Sequence, residues 1–335
     1  MVRQPAMRRL SILLELTVMC GLVFVWFPDI AYAQGHGHGG GVSLSRYELL
    51  VGFAHAVTLG ATVFLAGLVA FAALVWVPAS RESGVDQTAA SLLNRGAWAM
   101  FALLIVAGLI EVSLYAVRAS GESFSLGLLL EAWFGTRVGH IWLARLGFAL
   151  ITVLVSAWAV RERKTSYWWV AACLGAVLLM TLTQLSHAAA EGRLLPFAAD
   201  WLHVIAASVW MGGLLGFPLL LLGPLRAASP EIRAGTLGRT VRRFSKVATV
   251  AVSTIVLTGV YASLLHVPSL AALVSSSYGR ALVMKLGLAM MLLATGGINL
   301  IDKGQGPFDR MIAAELLMAL GVFAATGFLS SLPPP

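Results

Sequence analysis

The chain has 335 residues, 59% of them apolar and only 11% charged, with a mean hydropathy of +0.87. That composition leaves too little polar surface to cover a soluble globule of this size, so the chain belongs in lipid. The formal charge of +8 fits either nucleic-acid binding or basic cytoplasmic loops, and the distribution of charge along the chain decides between them.

The first segment reads as a secretory signal. Arg3, Arg8 and Arg9 precede an apolar run from Leu10 to Phe27, then Pro28 and the A-x-A pattern Ala31-Tyr32-Ala33. Residues 1–33 are therefore expected to be a signal peptide, with Gln34 first after cleavage. The length of the run and Glu15 inside it leave an uncleaved anchor as the alternative, and both outcomes place Gln34 outside. Residues 34–46 form a His/Gly-rich tail. With a free amine at Gln34, the third-position His36 completes a square-planar nitrogen set that suits Cu(II) or Ni(II), with His38 in reserve. The other reading of this tail is a flexible glycine-rich segment with incidental histidines. Cys20 falls in the signal and Cys173 in a later apolar segment, so the mature chain forms no internal disulfide and thiol-pair redox chemistry is excluded.

Eight apolar segments follow, each long enough to cross a hydrocarbon core of about 30 Å as a helix. They are A, Tyr47 to Val77; B, Gly96 to Val117; C, His140 to Val160; D, Tyr167 to His187; E, Pro196 to Leu222; F, Phe244 to Leu265; G, Arg280 to Leu300; and H, Phe308 to Leu329. The expected fold is an all-α polytopic membrane bundle over residues 47–331. With Gln34 outside, the inner loops hold thirteen basic residues and the outer side five, Arg46, Arg118, Arg137, Arg193 and Arg280. This is the positive-inside pattern of an inner-membrane protein with both termini periplasmic, and it makes nucleic-acid binding unnecessary. The outer B/C loop, Ser123 to Gly135, is apolar enough to lie as a short helix among lipid headgroups.

A repeat runs through the spans. Val138-Gly139-His140 through Gly147 in C aligns with Tyr278-Gly279-Arg280 through Gly287 in G at an offset of 140, and Arg145 and Lys285 each stand two residues before the glycine. Duplication of four spans preserves orientation, so residues 47–187 and 196–331 are expected to be parallel repeats with A matching E.

On this topology all seven histidines fall on the outer side, His55 about 12 Å into span A at 1.5 Å per residue. Glu111, Asp200, Arg145 and Lys285 fall in the same layer. Buried ionisable groups are costly unless paired or hydrated, so an intramembrane cluster is a functional-site hypothesis, although Arg145 and Lys285 also have the reach to snorkel to headgroups. His140 and His266 stand at span ends and read as interfacial. His55, His187 and His203 are the expected metal ligands, converging in one outward-open cavity between A, D and E with Asp200 on its rim. The short D/E loop sets His187 beside His203, and Met180 and Met211 offer thioether sulfur deeper in the membrane, a mixture that suits copper. Plain packing is the other reading of these methionines.

Span E reads Asp200-Trp201-Leu202-His203 and then Trp210-Met211-Gly212-Gly213-Leu214, which resembles the D-x-x-H…W-x-G-G-L signature of the copper resistance protein D family, the CopD or PcoD type. Ser186-His187-Ala188, Arg243-Phe244-Ser245, Thr258-Gly259, Tyr278-Gly279-Arg280 and Lys285 extend the resemblance, which is looser over the first four spans. It implies a membrane protein that moves copper from periplasm to cytoplasm beside a periplasmic carrier of the CopC type. Only about a dozen residues separate Ala33 from span A, so such a carrier is expected as a separate protein. Two other functions stay open: a b-type haem electron carrier, since membrane histidines also ligate haem, and a scaffold that docks the copper carrier. No nucleophile motif, phosphate loop or ATP site is present in the sequence, so the expectation is a non-enzyme, with any flux driven by a gradient.

Overall fold

The computed structural model describes residues 46–80, 86–121, 123–186, 192–266, 277–301 and 308–331. The chain divides at Leu50 into two compact units, and the second, Val51–Pro335, contains the helix bundle and its polar residues. The expected signal, the tail with His36 and His38, and His187 lie outside the described residues.

Helix α1 (Arg46–Phe71) continues through a π-helical turn, Ala72–Trp76, and a last turn, Val77–Ser80. It is followed by α2 (Asp86–Ser120), the short α3 (Leu126–Phe134), α4 (Arg137–Glu162), α5 (Thr165–Thr183) and α6 (Leu194–Leu222). The chain ends in α7 (Pro230–His266), α8 (Ser277–Ile301) and α9 (Phe308–Ser331), and no strand occurs among the described residues. Six helical stretches are long and apolar enough to cross a membrane: Leu50–Ser80, Asp86–Ser120, Arg137–Glu162, Thr165–Thr183, Leu194–Ala227 and Pro230–Leu265. In α8 and α9 the described apolar stretches are shorter, Leu282–Leu292 and Glu315–Gly327.

Helix ends follow local chemistry. Ser125 caps α3 by accepting from Leu128 N at 3.1 Å, and Thr136 caps α4 by accepting from Gly139 N at 3.0 Å. The expected B/C helix is thus present as α3, folded so that Trp133 meets Trp142 of α4 edge to face. Two helices start earlier than the apolar pattern indicated: α2 at Asp86 rather than Gly96, and α7 at Pro230 rather than Phe244. The reason is packing rather than hydropathy. Ala89, Ala90 and Leu93 of α2 and Thr236 and Thr240 of α7 are buried at helical spacing within otherwise polar sequence.

Lipid tails are as apolar as leucine, so close packing rather than hydrophobic burial must hold such helices together. Small residues supply that packing. Ser208 Oγ donates to Val63 O at 2.9 Å, a Cβ placed on Gly67 would lie 2.8 Å from Gly212 Cα, and one placed on Gly216 would lie 2.6 Å from Phe71 Cδ1. These three contacts keep a constant spacing of 145 residues, so α1 and α6 run parallel with matched depth. Helix α9 runs antiparallel on another face of α1, where Phe323 stacks edge to face on Phe64 and Gly327 approaches Gly52 and Ala56. Helix α1 is therefore enclosed, while α2, α4 and α7 turn Ile110, Leu154 and Leu257 outward, as helices solvated by lipid do.

The C-terminal end of α1 is tied down by α7. A π-helical turn disturbs the regular backbone ladder, and Arg243 Nε donates to Leu74 O at 2.6 Å while Arg239 Nε donates to Ala79 O at 2.9 Å. Phe71, Phe217 and Phe244 fill the space above with edge-to-face contacts.

Candidate functional site

Residues three apart on a helix share a face, so His55 and Thr58 both reach across from α1 to α2. There they grip one carboxylate. His55 Nδ1 lies 2.9 Å from Glu111 Oε1, and Thr58 Oγ1 donates to Glu111 Oε2 at 2.5 Å. Thr58 is fully buried, and the His55 and Glu111 side chains are 23% and 16% exposed, so the pair is partly open on one side. An ionised carboxylate only accepts, so the imidazole donates from Nδ1 and a neutral ring keeps its lone pair on Nε2.

Beside this pair stands Arg145 of α4, 1% exposed. Its guanidinium sits 4.3 Å from the centroid of the Trp142 ring, Nε donates to Thr181 Oγ1 at 3.1 Å, and Nη2 donates to Thr181 O at 2.9 Å. Trp142 packs on Gly108, one turn before Glu111, and the Arg145 and Glu111 charges act on each other.

The second half repeats this plan with different chemistry. His203 Nδ1 of α6 lies 2.9 Å from Thr258 Oγ1 of α7, and Thr258 Oγ1 itself donates to Thr254 O at 2.6 Å. The hydroxyl hydrogen is already committed, so the oxygen accepts from His203 Nδ1, and again Nε2 carries the lone pair. One turn earlier, Asp200 Oδ2 lies 3.0 Å from Ser186 Oγ, next in sequence to His187. Lys285 of α8 is half-buried and near enough for its charge to reach His203. The spacing of 145 between α1 and α6 sets Asp200 level with His55 and His203 level with Thr58.

The remaining expected residues separate. His140 is exposed and pairs through Nε2 with Phe134 O at 2.8 Å, holding α3 against the start of α4. Met211 is buried in α6 and Met180 half-buried in α5. Gly212 admits the α1 backbone, while Gly213 faces the Phe244 ring. Among the described residues no three His, Cys, Asp or Glu side chains gather closely enough to hold one metal ion. His55 is turned to Glu111 on α2 and His203 to Thr258 on α7. Sequence reading missed the hydroxyls of Thr58 and Thr181. Thr58 carried a signal, being one turn from His55, but Thr181 is one of many threonines in apolar helices and carried none.

Comparison with known proteins adds a family. Residues 238–329 match the model described as Copper resistance protein D, and residues 47–196 match that described as Copper resistance protein D-like, N-terminal domain. Copper resistance protein D of Pseudomonas syringae pv. tomato is 31% identical over 244 residues, which is 71% of this chain and 76% of that one. Copper transport protein CutJ of Bacillus subtilis (strain 168) is 28% identical over 269 residues, 78% of this chain; the match spans about half of CutJ, 49% of its length. No solved structure matches the chain significantly.

Proposed function

Because the chain belongs to the copper resistance protein D family, we propose that it carries copper inward across the inner membrane, taking it up on the outer side through imidazole Nε2 atoms. In this reading all eight long helices span the bilayer, residues 1–33 are removed, and both termini are periplasmic. A separate periplasmic copper carrier delivers the ion, and the tail with His36 and His38 is a Cu(II) site independent of the membrane one. The observation that carries the proposal is shared by both halves of the bundle. His55 and His203 are each held through Nδ1, by Glu111 and by Thr258, which leaves Nε2 as the ligating atom. His187, next to the Ser186 that meets Asp200, joins His203, so the bundle carries two stations at similar depth, one at His55 and one at His203 with His187.

Copper accumulation in cells with and without the protein, together with metal analysis of the purified chain, tests the function. Alanine at His187 and at His203 should each weaken copper binding strongly and the double variant should add little, because ligands of one ion act as a unit. Alanine at His55 should add its full effect to either. Unchanged accumulation without the protein, or no copper on the purified chain, would reject the proposal.

A further inference from the structure

Arg145 is a fully buried cation whose hydrogen-bond partners are both neutral atoms of Thr181. A third donor, Nη1, is buried with no hydrogen-bond partner. A cation buried this deeply is stabilised by a compensating charge nearby. Its position supplies one: Trp142, under the guanidinium, packs on Gly108, and the carboxylate of Glu111 stands one turn along the same helix. Glu111 is at the same time the acceptor of His55 Nδ1 and Thr58 Oγ1. The His55, Glu111 and Arg145 group with a neutral imidazole therefore carries no net charge.

An ion arriving at His55 Nε2 meets opposing fields from Glu111 and Arg145, and its remaining cost is loss of water, which rises with the square of its charge. Resting on the copper reading above, we infer that Arg145 is a specificity-determining residue: by cancelling Glu111 it makes the His55 station accept a singly charged soft ion, Cu(I), and refuse divalent ions. Removing Arg145 leaves a net negative station that favours a divalent ion. Removing the charge of Glu111 leaves a net positive one that repels both classes, the divalent more.

The test is isothermal titration of the purified full chain in detergent with Ag(I) and with Zn(II), redox-inert probes of the two charges. The His55-dependent part of each affinity is taken by difference from the matching His55→Ala chain. The expected results are preference of the native chain for Ag(I), a gain of at least about tenfold in relative Zn(II) affinity for Arg145→Gln, and no such gain for Arg145→Lys, which keeps the charge. Glu111→Gln, isosteric and partly exposed, should weaken Ag(I) by about tenfold and Zn(II) by more. It carries the test if Arg145→Gln does not fold. An unchanged Ag(I) to Zn(II) ratio in these charge-removing variants would overturn the inference while leaving the copper station standing. Absence of any His55-dependent Ag(I) binding in the native chain would instead overturn the station, and the inference with it.

Discussion

The two halves of the bundle hold their histidines by one plan and two chemistries. In the first, His55 donates to the Glu111 carboxylate, which also takes a hydrogen bond from Thr58. In the second, His203 Nδ1 lies against the Thr258 hydroxyl and the ring also hydrogen-bonds the Ile255 backbone, while the carboxylate of that half, Asp200, is engaged with Ser186 instead. A carboxylate behind an imidazole raises its basicity and locks its orientation more firmly than a hydroxyl does. On the proposed copper reading, the difference makes the first half the tighter station and the second the looser, at matched depth across the α1/α6 seam.

That seam is where the comparison breaks most completely. Gly67→Leu drives a branched side chain into Ser208 and Gly212, and it should cost about 3 kcal/mol of stability and lower the melting temperature in detergent by many degrees. A melting curve unchanged from that of the native chain would show that matched depth does not depend on this contact.

A smaller effect sharpens the contrast between the stations. Glu111→Ala should weaken copper binding at His55 by about 10- to 100-fold, whereas Thr258→Val should weaken binding at His203 by no more than about fivefold. Equal losses, measured by competition with a chelator of known affinity, would erase the distinction between carboxylate and hydroxyl support.

Smallest of all is the effect expected at two glycines in like positions of α4 and α8. Gly147 and Gly287 each follow a cation by two residues, the buried Arg145 and the half-buried Lys285, and a Cβ on either glycine meets nothing within 4 Å. Alanine at either position should leave copper binding unchanged and raise the melting temperature slightly, since alanine favours a helix interior by about 1 kcal/mol over glycine. A marked loss at one position and not the other would mean that the halves pack differently around α4 and α8.

Much of the architecture was legible without coordinates. The apolar segments, their helical nature and the short helix between B and C follow from composition and periodicity, because a chain in lipid must satisfy its backbone within each segment. The early starts of α2 and α7 were not legible, since Ala89, Ala90 and Thr236 become core residues only when a neighbouring helix covers them.

The same division holds for the site. By itself the sequence determined the residue types that carry the chemistry: the imidazoles of His55, His187 and His203, the carboxylates of Glu111 and Asp200, and the cations of Arg145 and Lys285, with all of them in the outer layer of the expected topology. Only the tertiary structure decided who pairs with whom. That Glu111 belongs to His55, that Thr258 rather than Asp200 holds the ring of His203, and that Arg145 rests on Trp142 and Thr181 depend on contacts between residues 36 to 56 positions apart, except for the Trp142 ring within α4. Such pairings are set by the rotation of each helix about its axis, which glycine contacts such as Gly67 with Gly212 fix in space and which no local pattern encodes.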